Sequence, residues 1–396
     1  MKILVLSQYF WPENFKINEL AIELNKKHNV EILTSIPNYP SGKIYKDFSK
    51  SKKKFSNYKG IKIYRSWQFL RGDGNKLRLI LNYISFIISS IFFGLSLKKK
   101  YDVVFVFLPS PILTAISGII LSKIFKCKIS LWVLDLWPEV LADLKIINSK
   151  YILKVLDKII NYMYQKSDLI FVQSKSFEKI IRKKTKNKKI YVLNSWSDKI
   201  LFKSDKYIKK TNSILYLGNI GYSQNFENLI EATKILATRK INFQITIIGS
   251  GRKASWLSEK IDNEQLNKFI KIEKFKKNHL LGKYIKSTDF CFLSLRKGKG
   301  LNSTIPAKLQ TYMQCSKPII AVSDGEVKNI IEKAKCGFTS KPKDSQELAN
   351  NIHKAFKLDN KTKKKYGNNA KKYALKNFDK KKILKQFNKI FDQINK

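Results

Sequence analysis

The sequence predicts an α/β protein of two doubly wound domains, and three observations carry that prediction. Short apolar runs alternate with helical patterns from one end to the other, the order that βαβ units and a parallel sheet require. Two of these runs, VVFVF at 103–107 and ISLWVL at 129–134, are unbroken, as strands covered on both faces should be. Between 195 and 212 the pattern lapses into a polar, lysine-rich stretch, after which a second series of similar size begins. A length of 396 residues suits two or three domains.

In the first series the strands are expected at Ile3–Ser7, Val30–Thr34, Ile61–Ser66, Val103–Leu108, Ile129–Leu134, Leu169–Gln173 and Ile190–Leu193. Helical patterns occupy Lys16–Lys27, Pro111–Phe125, Tyr151–Lys166 and Ser174–Lys184. The second series places strands at Ser213–Leu217, Phe243–Ile248, Ile270–Ile272, Phe290–Ser294 and Pro318–Val322, and the chain reads as helix from Leu358 to Lys396. The expected domains are therefore 1–197 and 212–378, followed by a terminal helix at 379–396. Two such sheets side by side leave a central cleft between the carboxyl ends of their strands, where ligands of these sheets bind.

The 78 basic residues outnumber the 30 acidic ones, for a formal charge of +48, which favours polyanionic partners. The excess is lysine, with only seven arginines, and arginine is the residue that reads bases and grips phosphates bidentately. No nucleic-acid module is recognisable, so a nucleic-acid partner is not expected. The four cysteines (Cys127, Cys291, Cys315, Cys336) form no CxxC pair and fit reduced thiols of the cytoplasm, neither a disulfide frame nor a zinc site. The apolar start, Ile3–Leu6, is too short for a signal peptide and reads as a first strand. Leu77–Leu97 is nearly long enough to span a bilayer, yet it contains Arg78, Asn82 and several serines, and lysines flank both ends. Three readings stay open for it: a helix on a membrane surface, an ordinary packed helix, or a span.

Five places could carry chemistry. The loop after the first strand, Ser7–Asn14, brings Tyr9, Phe10 and Trp11 together with Glu13 and Asn14; its aromatics must pack against a neighbour or a ligand. Asp135 and Glu139 bracket Trp137 just after ISLWVL, where a carboxylate can bind sugar hydroxyls or accept a proton; helix capping is the other reading. Gly218, Asn219 and Gly221 end the second series' first strand, and Gly249, Gly251 and Arg252 follow its next one. These glycines permit close approach of a nucleotide or simply form turns. The fifth place is Leu301–Met313: Pro306 suits the first helical position, so the amides of Ser303, Thr304, Ile305 and Ala307 should converge on one anion, with Lys308 beside it. Asp324 and Glu326 follow the strand PIIAV and are candidates for donor hydroxyls or a helix-start acid.

Along nearly its whole length the chain resembles the family 4 glycosyltransferases. The residues that carry the likeness are QYFWPE (8–13), PNYP (37–40), LILNYISF (79–86), DLWPE (135–139), LGNIG (217–221), TIPAKLQ (304–310), KPIIA (317–321) and DGE (324–326). DLWPE and IPAKLQ are the specific ones. Within the family it is most similar to bacterial enzymes of O-antigen and capsule assembly that handle N-acetylated deoxy-hexosamines. The resemblance implies the GT-B fold of two Rossmann-like domains, with 379–396 packing back on the first. It also implies retaining transfer from a UDP-sugar, without an obligatory metal or other cofactor, to an undecaprenyl-diphosphate-linked acceptor. Such an enzyme is cytoplasmic and peripheral to the anionic inner face of the membrane.

On this reading Asp135 and Glu139 are catalytic, while Ser303, Thr304, Ile305, Lys308 and Arg252 hold the diphosphate. Gly218, Asn219, Gly221, Gly249, Gly251, Asp324 and Glu326 face the nucleotide or sugar, and Tyr9, Trp11, Glu13 and Asn14 face the acceptor. The sequence departs from the family pattern where two glutamates with seven residues between them are common: Ser303 and Thr311 stand there. The basic pair usual after the second domain's first strand is also missing from Asn219–Asn225. A GT-B epimerase of UDP-sugars is the alternative reaction, and a basic nucleic-acid-binding protein the more remote reading.

Overall fold

The computed structural model describes residues 1–185, 188–197, 207–274 and 278–394, without the side chains of 278 and 279. Part of the expected linker, 198–206, lies outside the described residues. The chain divides into two compact units, the first comprising Met1–Pro138, Asn148–Leu193 and Lys381–Lys396 and the second Glu139–Ile147 and Asn194–Lys380.

The first unit begins β1 (Lys2–Ser7), α1 (Lys16–Leu24), β2 (Asn29–Ser35), α2 (Lys46–Lys50), β3 (Asn57–Tyr58) and β4 (Ile61–Ser66). It continues through α3 (Lys76–Ser96), β5 (Val103–Leu108), α4 (Ala115–Ile124) and β6 (Lys128–Val133). After α5 (Glu139–Asp143), which clusters with the second unit, come α6 (Lys150–Lys166), β7 (Leu169–Val172), α7 (Lys175–Lys184) and β8 (Lys189–Val192). The sheet order is β3-β4-β2-β1-β5-β6-β7-β8, parallel except for the two-residue β3, with Val5 opposite Ile32 on one side and Phe105 on the other. The central strands are apolar throughout because helices cover both faces; every residue of β5 is buried.

Helix α3 is packed in an unusual sense. Its buried residues, Asn82, Phe86, Ser90 and Gly94, recur every fourth position, so a largely small and polar stripe faces inward. Ser90 Oγ donates to Ser117 Oγ of α4 at 3.0 Å, and a Cβ on Gly94 would stand 2.4 Å from Leu121. Leu77, Ile80, Leu81, Ile84, Ile88, Phe92 and Leu95 are left exposed. By length and composition α3 is the one helix among the described residues that could cross a membrane.

The second unit runs β9 (Ser213–Asn219), α8 (Phe226–Thr238), β10 (Gln244–Ser250), α9 (Ala254–Asn263), β11 (Ile270–Glu273), α10 (Asn278–Ser287) and β12 (Phe290–Ser294). There follow α11 (Lys299–Ser303), α12 (Ala307–Gln314), β13 (Ile319–Val322), α13 (Glu326–Ala334), β14 (Gly337–Ser340), α14 (Ser345–Phe356) and α15 (Asn360–Asn377). The order β11-β10-β9-β12-β13-β14 is wholly parallel, and it reverses direction between β9 and β12, the switch point where such sheets open a crevice. Strand β14 was not anticipated: GFTS is short and begins with a glycine, required because a Cβ there would lie 1.8 Å from the Ile319 carbonyl oxygen. The last helix, α16 (Lys380–Asp392), lies mostly in the first unit, with Phe387 against Trp132 and Phe171 at 5.0 and 4.8 Å.

One segment departs from the expected division. Glu139–Ile147 belongs with the second unit because the Asp143 carboxylate accepts hydrogen bonds from the amides of Lys299, Gly300 and Leu301 at 3.0, 2.8 and 3.0 Å. Those amides open α11 and have no intrahelical acceptor, so a carboxylate stabilises them.

Candidate functional site

At the carboxyl end of the first unit's sheet, Asp135 stands two residues past β6. Burial pushes its carboxyl up to about 7, and among the described residues it has neither a hydrogen-bond nor an ion-pair partner. A carboxylate held near neutrality can accept a proton from a hydroxyl. Glu139, expected beside it as a second functional acid, instead starts α5 in the second unit, with its Oε1 3.7 Å from Lys299 Nζ.

The aromatic loop after β1 resolves into packing and bracing. Trp11 stacks between Phe55 and Tyr58, each 4.9 Å away, and its carbonyl accepts from Arg65 Nη2. Trp11, expected on the acceptor side, is half-buried and held in place by this packing. Tyr9 is buried, stacked 4.9 Å from Phe15 and tilted against Tyr39 at 5.4 Å. Glu13 Oε1 accepts from the amides of Asn38 and Tyr39 at 2.9 and 2.7 Å, which pins the loop after β2. Burial outweighs those bonds and pushes Glu13 up to about 7. Asn14 is exposed.

Gln8 was missed as a candidate in its own right. Its Nε2 donates to Gln68 Oε1 and Asn82 Oδ1 at 3.0 and 2.8 Å, which fixes the amide's orientation. Gln8 Oε1 and Asn38 Oδ1 stay buried with no hydrogen-bond partner among the described residues, two acceptors suited to a donor such as a hydroxyl. Only pairing across 60 and 74 positions reveals this.

In the second unit the site forms where β9 ends. Gly218 has φ +122°, a backbone open to glycine, and a Cβ built there would have Lys308 Cε and Nζ as its nearest neighbours at 3.8 Å. Lys308 reaches up from the first turn of α12: its Nζ donates to Tyr216 Oη and lies 4.0 Å from the centre of that ring. Tyr216 Oη in turn donates to the Asn219 carbonyl at 2.6 Å. Burial pulls Lys308 down to about 7, and no carboxylate among the described residues pairs with it.

Neighbouring cations are different. Lys253 Nζ lies 2.6 Å from Glu227 Oε1 and 3.4 Å above the Trp256 ring, and Arg296 also donates to Glu227 Oε1. Burial would raise Glu227, but Lys253 and Arg296 together hold its carboxyl below the usual range. Arg252 is exposed. Neither Glu227 nor Arg296 was signalled by the sequence, because the first turn of α8 and two loops distant in the chain bring the cluster together.

Several expected ligand contacts turn inward. Pro306 is the residue before α12 rather than its first, and the Thr304 amide donates to the Leu301 carbonyl at 3.2 Å, so the converging row from Ser303 to Ala307 does not form. The hydroxyls of Ser303 and Thr304 donate to the Lys299 and Gly300 carbonyls at 2.8 and 3.0 Å, the back-bonding typical of such residues in a helical turn. Ile305 is buried in the core. The open amides of α12 are those of Ala307 and Lys308, in the first turn. Gly249 and Gly251 are required by protein rather than ligand: Cβ atoms there would lie 1.9 Å from the Gly218 carbonyl oxygen and 2.4 Å from Asn219 Oδ1. A Cβ on Gly221 would likewise lie 2.6 Å from Asn219 Nδ2. Asn219 is exposed, and Asp324 and Glu326 are half-buried past β13, Glu326 in the first turn of α13.

A cation, a helix start and an unobstructed glycine together make an anion cradle at a nucleotide-binding switch point. Two parallel α/β units, one with a candidate anion cradle and one with a carboxyl raised toward neutrality, fit the GT-B class of sugar-transferring enzymes. Residues 197–373 match the family model described as Glycosyl transferases group 1, a match that marks the chain as a glycosyltransferase. Similar to it is the probable glycosyltransferase WbjE of Pseudomonas aeruginosa, 25% identical over 249 residues; that match spans 58% of this chain and 60% of the relative. The putative colanic acid biosynthesis glycosyl transferase WcaI of Escherichia coli K12 is 22% identical over 98% of both chains. The crystal structure of Anabaena Alr3699/HepE in complex with UDP and glucose shares the fold with a TM-score of 0.69, at 15% identity over 99% of this chain and all of that one.

Proposed function

We propose that the protein moves a sugar, an N-acetylated deoxy-hexosamine, from a UDP-sugar onto an undecaprenyl-diphosphate-linked glycan in surface-polysaccharide assembly, with retention at the anomeric carbon. The observation that carries the reading is Lys308: a recessed ammonium without a carboxylate partner, at the start of α12 and directly beneath Gly218. It and the first-turn amides hold the donor's diphosphate, and Gly218 lets that group approach. As the bond from the anomeric carbon to the diphosphate breaks, the acceptor oxygen bonds to the same face. The acceptor's proton passes to the departing diphosphate, and Asp135 is the first unit's candidate for binding acceptor hydroxyls, so the protein's work is positioning and charge stabilisation.

A UDP-containing structural neighbour and a colanic acid relative support the choice of donor and pathway. A lipid-linked acceptor puts the enzyme at the cytoplasmic face of the membrane, and the outward apolar side of α3 suits it to peripheral attachment there. The test is to screen nucleotide-sugars for transfer to a synthetic polyprenyl-diphosphate sugar, with the product's anomeric configuration read by NMR. An altered free UDP-sugar and no lipid product would establish the epimerase instead.

A further inference from the structure

Helix α3 has a counterpart in the first unit. On α6, Ile152, Val155, Ile159 and Tyr162 are 47, 39, 37 and 47% exposed, at spacings of three, four and three, which is one stripe of a helix. Tyr151, 77% exposed, stands at its start. The buried residues of α6, Ile160, Met163 and Tyr164, lie on the adjoining side of the helix. The sequence marked α6 as an ordinary helix of a βαβ unit; only the structure shows that its apolar stripe is left uncovered by the described residues.

The two stripes belong to one helical layer. Helix α4 packs against both α3 and α6. The crossovers from β4 to β5, β5 to β6 and β6 to β7 run in one direction along the sheet, and right-handed connections then place all three helices on one face. Trp67, 60% exposed, stands beside them, its carbonyl accepting from Ser89 Oγ of α3. Lysines rim both stripes: Lys150, Lys154, Lys158 and Lys166 on α6, and Lys76 with Lys98–Lys100 around α3. The acid of α6, Asp157, is paired with Lys184 at 2.8 Å.

We propose that α6 is a second membrane-contact helix, lying with α3 and Trp67 on an anionic bilayer so that the whole layer sets the enzyme's orientation. This rests on the membrane reading of α3. Charge selects the occupant: a second copy would bring the same lysine rim and another +48, whereas an anionic bilayer offers apolar depth to the stripes and countercharge to the rim. Tyrosine and tryptophan suit the headgroup level.

The experiment is co-sedimentation of the full chain with phosphatidylcholine vesicles, with and without phosphatidylglycerol. It compares wild type with Ile152→Gln/Val155→Gln/Ile159→Gln in α6 and Ile84→Gln/Ile88→Gln/Phe92→Gln in α3. The α6 variant should partition into anionic vesicles at least about tenfold less, with an unchanged melting temperature because the altered residues are exposed. Wild-type partitioning of the α6 variant, alongside a weakened α3 variant, overturns the role of α6 and leaves that of α3. Absence of any wild-type binding overturns both. A dimer in sedimentation velocity that the α6 variant loses assigns the stripe to a second copy instead.

Discussion

Asp135 in the first unit and Lys308 in the second carry opposite charges, yet burial brings both to about 7, one from below and one from above. Neither has a countercharge among the described residues. The Glu227, Lys253 and Arg296 cluster, also in the second unit, shows the contrast: there every charge is answered, and the carboxylate stays firmly ionised. An internal charge left unanswered costs stability, and a fold tolerates it where a ligand or proton completes the site. That difference separates groups that work from groups that brace.

The largest expected effect lies at Lys308. Lys308→Met keeps the volume and removes the charge, so kcat/KM should fall by roughly 10²–10³ with the fold retained, the loss expected for one well-placed transition-state donor. Wild-type turnover in this variant would remove the diphosphate site. Binding should also respond to pH. A diphosphate beside Nζ favours the charged amine, so UDP binding above pH 7 takes up a proton and weakens as pH rises. Calorimetry in buffers of different ionisation enthalpy reads that uptake, which should be absent in Lys308→Met.

Asp135→Asn should cost less, about tenfold to a hundredfold, since the departing diphosphate takes the proton. Its sharper signature is in stability. Asp135 holds its proton in the folded state up to about 7 and in the unfolded state only to 3.8, so its contribution to stability falls as pH rises through that window. Lys308 keeps its proton to 10.5 when unfolded and to about 7 when folded, so its contribution rises from pH 7 toward 10.5. Above pH 7, Asp135→Asn should stabilise the protein by on the order of 2 kcal/mol or more. Urea titrations from pH 4 to 10 check both slopes; a flat wild-type profile across pH 4–7 that Asp135→Asn leaves unchanged would mean the carboxylate is solvated.

Much of the fold was legible because buried parallel strands read as continuous apolar runs, and VVFVF and ISLWVL fell where β5 and β6 lie. Strand β14 did not read, since Gly337, Thr339 and Ser340 carry no such signal. The allegiance of Glu139–Ile147 was invisible because a carboxylate meeting three amides more than 150 residues away leaves no local trace. Asp135 and Lys308 could be picked out because strand ends and helix starts are local features. The glycines were ambiguous in sequence: Gly218 faces Lys308 with room to spare, while Gly249 and Gly251 serve the packing of one loop on another. Tyr216, which receives the Lys308 amine, and Gln8 depend on partners far along the chain. For α3 the length was readable but not which side faced out.

The smallest effect should come from the cluster whose charges are already paired. Glu227→Gln leaves Lys253 stacked on Trp256 and Arg296 tied through its amide to the Ser223 carbonyl at 2.9 Å, so neither loop loses its main anchor. The Glu227 side chain is 40% exposed, and partly exposed ion pairs contribute little. The variant should therefore lose no more than about 1 kcal/mol, with kcat/KM changed less than about threefold. A larger loss of turnover than of stability would move Arg296 and Lys253 from bracing into donor binding, and the contrast with Lys308 would then fail, since answered and unanswered charges would be doing the same job.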